Sequence, residues 1–143
     1  MAATSPAAPR SRLGIVQIYA LVFGIAYVAV AVIEDLLGGY GLKIGGTTIL
    51  QVTLVQNLIH WVVGVAVLGS FFAGERVAKM VARAVGIVFV VVTILGFLVE
   101  PLTGQLLGFP GGLPLSYNIV HLLTAAAALF AGFAATRAYG RAQ

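Results

Sequence analysis

The sequence predicts an all-α fold, a bundle of four transmembrane helices built from two parallel two-helix repeats. Three observations point to it. Hydrophobic residues make up 61% of the 143-residue chain and charged residues 8%, at a mean hydropathy of +1.09. Soluble domains carry roughly 25% charged residues, and a soluble core of this length could not hide so much apolar surface. Four apolar runs are each long enough to cross a hydrocarbon layer of about 30 Å, which takes about 20 helical residues. Finally, Asn57-Leu58-Ile59-His60 recurs as Asn118-Ile119-Val120-His121, at an offset of 61 residues.

The first run, residues 13–33, follows a tail of residues 1–12 that carries Arg10 and Arg12. With Ala29-Val30-Ala31 it imitates a secretory signal. The apolar stretch before that tripeptide is about 16 residues, at or beyond the usual limit, and continues through Ile33, so the run is expected to remain as a span. The second run covers residues 49–72, the third 81–99 and the fourth 115–136, before a tail of residues 137–143. The connecting segments 34–48 and 100–114 are rich in Gly and Pro and are expected to form irregular caps, with Gly45-Gly46 and Gly111-Gly112 as turn glycines.

Charge sets the expected orientation. Arg10, Arg12, Arg76, Lys79, Arg83, Arg137 and Arg141, seven of the eight basic residues, fall on one side of the spans. Lys43 lies on the other side with Glu34, Asp35 and Glu100. The positive-inside rule then puts both termini in the cytoplasm. The basic clusters are short and lack interleaved aromatics, so they read as topology determinants against a lipid bilayer and not as a nucleic-acid surface. The absence of cysteine excludes disulfides, iron–sulfur clusters, thiolate zinc sites and thiol nucleophiles.

The repeat runs without gaps from Asn57–Arg76 to Asn118–Arg137. Ala66 with Ala127, Leu68 with Leu129, Phe72 with Phe133 and Ala73 with Ala134 are further identities. Upstream, Arg12, Gly14 and Gly24 are echoed more loosely by Arg83, Gly86 and Gly96. Each half holds two crossings, so both halves keep one orientation, as in parallel repeats related by an axis along the membrane normal. Sixteen positions separate His60 from Arg76 and His121 from Arg137. At about 1.5 Å per residue this puts both histidines at one depth, in the outer half of the core. The same count from Arg83 places Glu100 near that level, and from Arg12 it places Glu34 at the outer surface.

Polar groups in hydrocarbon are costly and usually turn inward toward partners. Each Asn and its His, three positions apart, share a helix face. Asn57, His60, Asn118 and His121 are therefore the candidate site. In the first reading they join helices, in a small integral membrane protein of structural or interaction type, a homo-oligomer or a subunit of a larger membrane complex. The alternative is cofactor binding: His60 and His121 as axial ligands of a haem, or as ligands of a divalent metal with Glu100, supported by Asn57 and Asn118. A weaker third reading is a transporter or proton conductor. No catalytic residue is recognised. Ala20-x-x-x-Gly24, Gly69-x-x-x-Ala73 and Ala128-x-x-x-Gly132 are expected at helix contacts. Trp61 is expected to pack or to anchor the chain at the interface.

Arg83-Ala84-Val85-Gly86-Ile87-Val88-Phe89, Leu95-Gly96-Phe97 and Asn118-x-x-His121-Leu122-Leu123 resemble the actinobacterial membrane proteins grouped as domain-of-unknown-function family 4383. Asn57-x-x-His60 with Gly64 fits the second helix of that pattern, and the resemblance covers residues 13–133. It implies a four-helix protein of the bacterial cytoplasmic membrane with no established activity. The pattern often has a polar or ionisable residue before the Asn; here Gln56 and Tyr117 hold those places.

Overall fold

The computed structural model describes residues 13–36, 42–44, 47–50 and 52–134. The tails with Arg10, Arg12, Arg137 and Arg141, together with Gly45-Gly46, lie outside the described residues. Four helices are long and apolar enough to cross a membrane: α1 (Ile15–Leu36), α2 (Leu54–Phe72), α3 (Glu75–Leu98) and α5 (Leu115–Phe133). The chain is a helical, multi-pass membrane protein whose outer faces carry exposed Leu, Ile, Val and Phe for the bilayer.

Local chemistry sets the helix ends. At α2, the Thr53 hydroxyl accepts from the Gln56 backbone N–H at 3.2 Å while the Gln56 side chain accepts from the Thr53 N–H at 3.3 Å, a reciprocal cap that satisfies two orphan donors. Gln17 does half of this for α1, accepting from Gly14 N–H at 3.1 Å. Between α2 and α3 the chain reverses in two residues, Ala73 and Gly74, the latter at φ +96°, a backbone conformation suited to glycine. α3 starts six residues before the apolar run that marked the third span. Its first turn is polar, with Glu75 at its N-terminus and a 3.3 Å ion pair to Lys79.

The two connecting segments are more regular than their composition suggests. Residues 42–50 contain a hairpin of β1 (Leu42–Ile44) and β2 (Thr47–Leu50), antiparallel, with Lys43 opposite Thr48 and Ile44 opposite Thr47. Residues 100–114 contain the short helix α4 (Glu100–Leu106), opened by Pro101 in its first turn and closed at Gly108, φ +85°. Gly104 lies against Gly112, where a Cβ would come within 2.5 Å of backbone. The Thr53 hydroxyl donates to the Leu107 carbonyl at 2.5 Å, tying α4 to the start of α2. Phe109 and Leu113 are buried beneath this cap.

Packing is most extensive between α1 and α2 and between α3 and α5. Buried positions on α1, Val16, Ala20, Gly24, Ala31 and Glu34, are matched on α3 by Ala78, Ala82, Gly86, Thr93 and Gly96, each 62 residues later. Asn57, Gly64, Val67 and Ser70 of α2 are matched on α5 by Asn118, Ala125, Ala128 and Ala131, each 61 residues later. The tight contacts follow the same register. A Cβ on Gly24 would lie 2.6 Å from the Leu68 backbone, and one on Gly86 would lie 2.6 Å from the Leu129 side chain. Gly24 therefore corresponds in packing to Gly86, whereas the loose upstream echo paired Gly14 with Gly86 and Gly24 with Gly96. Ala20, Gly24, Ala128 and Gly132 sit at contacts as expected. Gly69 and Ala73 do not: they are exposed, and Gly64 supplies the close approach on α2, against Val28.

Candidate functional site: a cavity between the helix pairs

His60 follows the first residue of α2 by six positions, and His121 follows the first residue of α5 by six. Both line one cavity of about 380 Å³, bordered by residues of α1, α2, α3 and α5 and reached at one end by Leu107 after α4. Its walls are mostly apolar and aromatic, including Phe23, Tyr27, Phe89 and Tyr117. Gln56, Ser116 and Thr124 add polar groups. Gln56 and Tyr117, the residues just before the two Asn, are thus both at the cavity.

Ring contacts connect the two imidazoles. Tyr27 lies 5.8 Å from His60 between ring centroids, Phe89 lies 6.3 Å from Tyr27, and His121 lies 5.4 Å from Phe89. Tyr27 and Phe89 are again 62 residues apart, so each histidine meets an aromatic ring at the corresponding place of the neighbouring helix.

The polar partners of the two halves differ. His60 Nδ1 faces Glu34 Oε2 at 3.4 Å, and Glu34 is only 7% exposed. The Asn57 amide donates to Asp35 Oδ1 at 2.5 Å, and Trp61 Nε1 donates to Asp35 Oδ2 at 2.9 Å. Glu34 is therefore not at the outer surface. Helical side chains lean toward the helix N-terminus. Near the end of α1 Glu34 leans back into the bundle, while near the start of antiparallel α2 His60 leans out to meet it. Counting rise along each helix separately omits that lean.

In the second half the places of Glu34 and Asp35 are taken by Gly96 and Phe97. The Asn118 carboxamide fills the space beside Gly96, where a Cβ would overlap it. Asn118 is 2% exposed, and its Oδ1, like the Nδ1 of His121, is buried without a hydrogen-bond partner among the described residues. Such orphaned buried atoms are uncommon and call for an explanation.

Among the described residues the carboxylate beside a histidine is Glu34. Phe89 is the α3 residue beside His121. Arg83 donates to the Gly132 carbonyl at 2.8 Å and lies over the Phe133 ring at 4.6 Å. The Glu100 side chain lies outside the described set, and among the described residues no group of three or more His, Asp or Glu is gathered around a point that could hold a metal ion. Trp61 anchors α2 to α1 through Asp35, a partner hidden from a sequence reading because it is 26 residues away.

No curated protein and no solved structure is matched by the chain. A family model covers most of it, residues 17–134, and takes in all four long helices, both Asn-x-x-His segments and the cavity between them. On that match, the chain belongs to the family described as Domain of unknown function (DUF4383).

Proposed function

We propose that this membrane protein holds a small lipid-soluble molecule in the cavity between two two-helix repeats, α1–α2 and α3–α5. One observation carries the reading: His60 and His121, from matched positions of α2 and α5, line the same cavity of about 380 Å³. That volume is within the range of small-molecule sites, which are mostly apolar with a few placed polar groups. The orphaned Nδ1 of His121 supports it further. The recurring burial register supports the repeat, and the basic asymmetry supports a bacterial cytoplasmic membrane protein with both termini inside.

The structural role falls to the first half. Asp35 with Asn57 and Trp61, and Glu34 with His60, join α1 to α2. Such bonds in membranes are worth about 0.6 kcal/mol on average and up to about 1.7 kcal/mol. Both halves thus face the ligand, and the first also joins its helices.

The test is native mass spectrometry of the detergent-solubilised protein from its host, beside Ala26→Phe, which adds bulk at an exposed cavity-lining position. A small-molecule adduct on the parent protein, lost in Ala26→Phe at unchanged helix content, is expected. An adduct equal in both, or none after titration with the host's lipid extract, leaves only the helix-joining role. Absorption and elemental analysis of the same sample separate the cofactor reading. A haem band lost in both His60→Ala and His121→Ala would make the imidazoles axial ligands. Near-stoichiometric metal removed by either substitution would make them metal ligands.

A further inference from the structure

Building on the ligand-binding reading above, we infer that the cavity takes a quinone head group, an uncharged planar ring with carbonyl oxygens at opposite ends and an apolar tail left in the bilayer. Charge is the first argument. Among the described residues no Lys, Arg, Asp or Glu lines the cavity. The Glu34 carboxylate is turned to His60 Nδ1 at 3.4 Å. A carboxylate or phosphate head group would enter beside no described Lys or Arg, which a low-dielectric site penalises. A neutral head group carries no such penalty.

Wall chemistry is the second argument. Phe23, Tyr27, Phe89 and Tyr117 border the space. Aromatic faces and edges suit a flat ring through offset or edge-on contacts, and a straight acyl chain gains nothing specific from them.

Symmetry is the third. His60 and His121 occupy corresponding places, each beside an aromatic ring of the neighbouring helix, Tyr27 or Phe89. Two donors related in this way fit a ligand whose two acceptors are related by its own two-fold better than a ligand with a single head. The match is unequal in one respect. His60 has Glu34 Oε2 at 3.4 Å from its Nδ1, whereas His121 has Gly96 at the matching place and a buried Nδ1 with no partner among the described residues. The two carbonyls are therefore met in different surroundings.

Trp61, the single tryptophan of the chain, follows His60 directly and is a built-in reporter, because quinones quench indole fluorescence. The full chain in phosphatidylcholine nanodiscs is titrated with a short-tailed 1,4-naphthoquinone, with the naphthalene of the same tail, and with a fatty acid of matching length. Saturable quenching by the quinone is expected, weakened at least tenfold in His121→Ala and in His60→Ala, and partly restored in His121→Gln, which keeps a donor. The naphthalene and the fatty acid should compete at least tenfold more weakly. Competition by the naphthalene as strong as by the quinone would overturn the carbonyl assignment while leaving the cavity reading intact, and so would displacement by the fatty acid. Quenching that never saturates, and is equal in parent and Ala26→Phe protein, would overturn both. If a histidine-to-alanine variant does not fold, His121→Gln and Ala26→Phe still decide between these outcomes.

Discussion

His60 and His121 share a motif and a cavity, yet removing them should have different consequences. Loss of His60 leaves the Glu34 carboxylate buried with neither oxygen paired, since Oε1 already lacks a partner among the described residues. Leaving a buried polar group without its hydrogen-bond partner costs about 1 to 3 kcal/mol. His60→Ala should therefore destabilise by about 2 kcal/mol, whereas His121→Ala, which gives up mainly an edge contact with Phe89, should cost about 1 kcal/mol or less. Adding Glu34→Gln to His60→Ala should recover part of the loss by removing the stranded charge. Unfolding in detergent followed by circular dichroism measures all three, and equal losses for the two histidines would contradict the account. The candidate pair itself was legible in the sequence, because Asn and His are rare in apolar runs and their recurrence at one offset stands out. The partners were not. Glu34 and Asp35 belong to a different helix, and only the antiparallel register of α1 on α2 brings them to His60, Asn57 and Trp61.

At the scale of the elements, glycine and alanine set how closely the helices approach, and the substitutions that test this have opposite signs. A Cβ on Gly24 would lie 2.6 Å from the Leu68 backbone, which cannot move without its helix, so Gly24→Ala should cost about 1 to 3 kcal/mol. Gly86→Ala meets the Leu129 side chain first and should cost less, because that side chain can rotate. Gly69→Ala meets nothing within 4 Å and should be neutral or stabilising by up to about 1 kcal/mol, the helix-propensity gain. Thermal midpoints of the three variants check the order, and a Gly69 variant as unstable as the Gly24 variant would refute it. Four long helices were legible from hydropathy alone. Which of the three small-residue pairs make contacts was not, since all have the same spacing and only the facing helix decides. The 62-residue register of α1 on α3 was also hidden, because only two of the five matched pairs, Ala20 with Ala82 and Gly24 with Gly86, are identities, and small residues coincide cheaply in apolar sequence. The hairpin and α4 were hidden by Gly and Pro, which mark turns and give little sign of regular structure between them.

For the whole molecule, orientation is the first expectation that remains to be measured. Arg76, Lys79 and Arg83 lie at the α2–α3 turn end of the bundle, and Lys43 lies in the hairpin at the other. The chain contains no cysteine, so single cysteines at Lys43, Gln105 and Arg76 give clean labels. An impermeant thiol reagent applied to intact cells should modify the first two and spare the third; the reverse pattern would invert the topology. The division of acidic residues between the halves also bears on how the chain is made. Glu34 and Asp35 find His60, Asn57 and Trp61 within the first two long helices, so the leading hairpin emerges from the ribosome already carrying the partners its own acids need. The trailing pair has Gly96 and Phe97 at those places, and Glu75 at the start of α3 finds its partner Lys79 within the same helix. Insertion can then proceed one hairpin at a time, the first waiting in the bilayer with its carboxylates engaged while the second is still being translated.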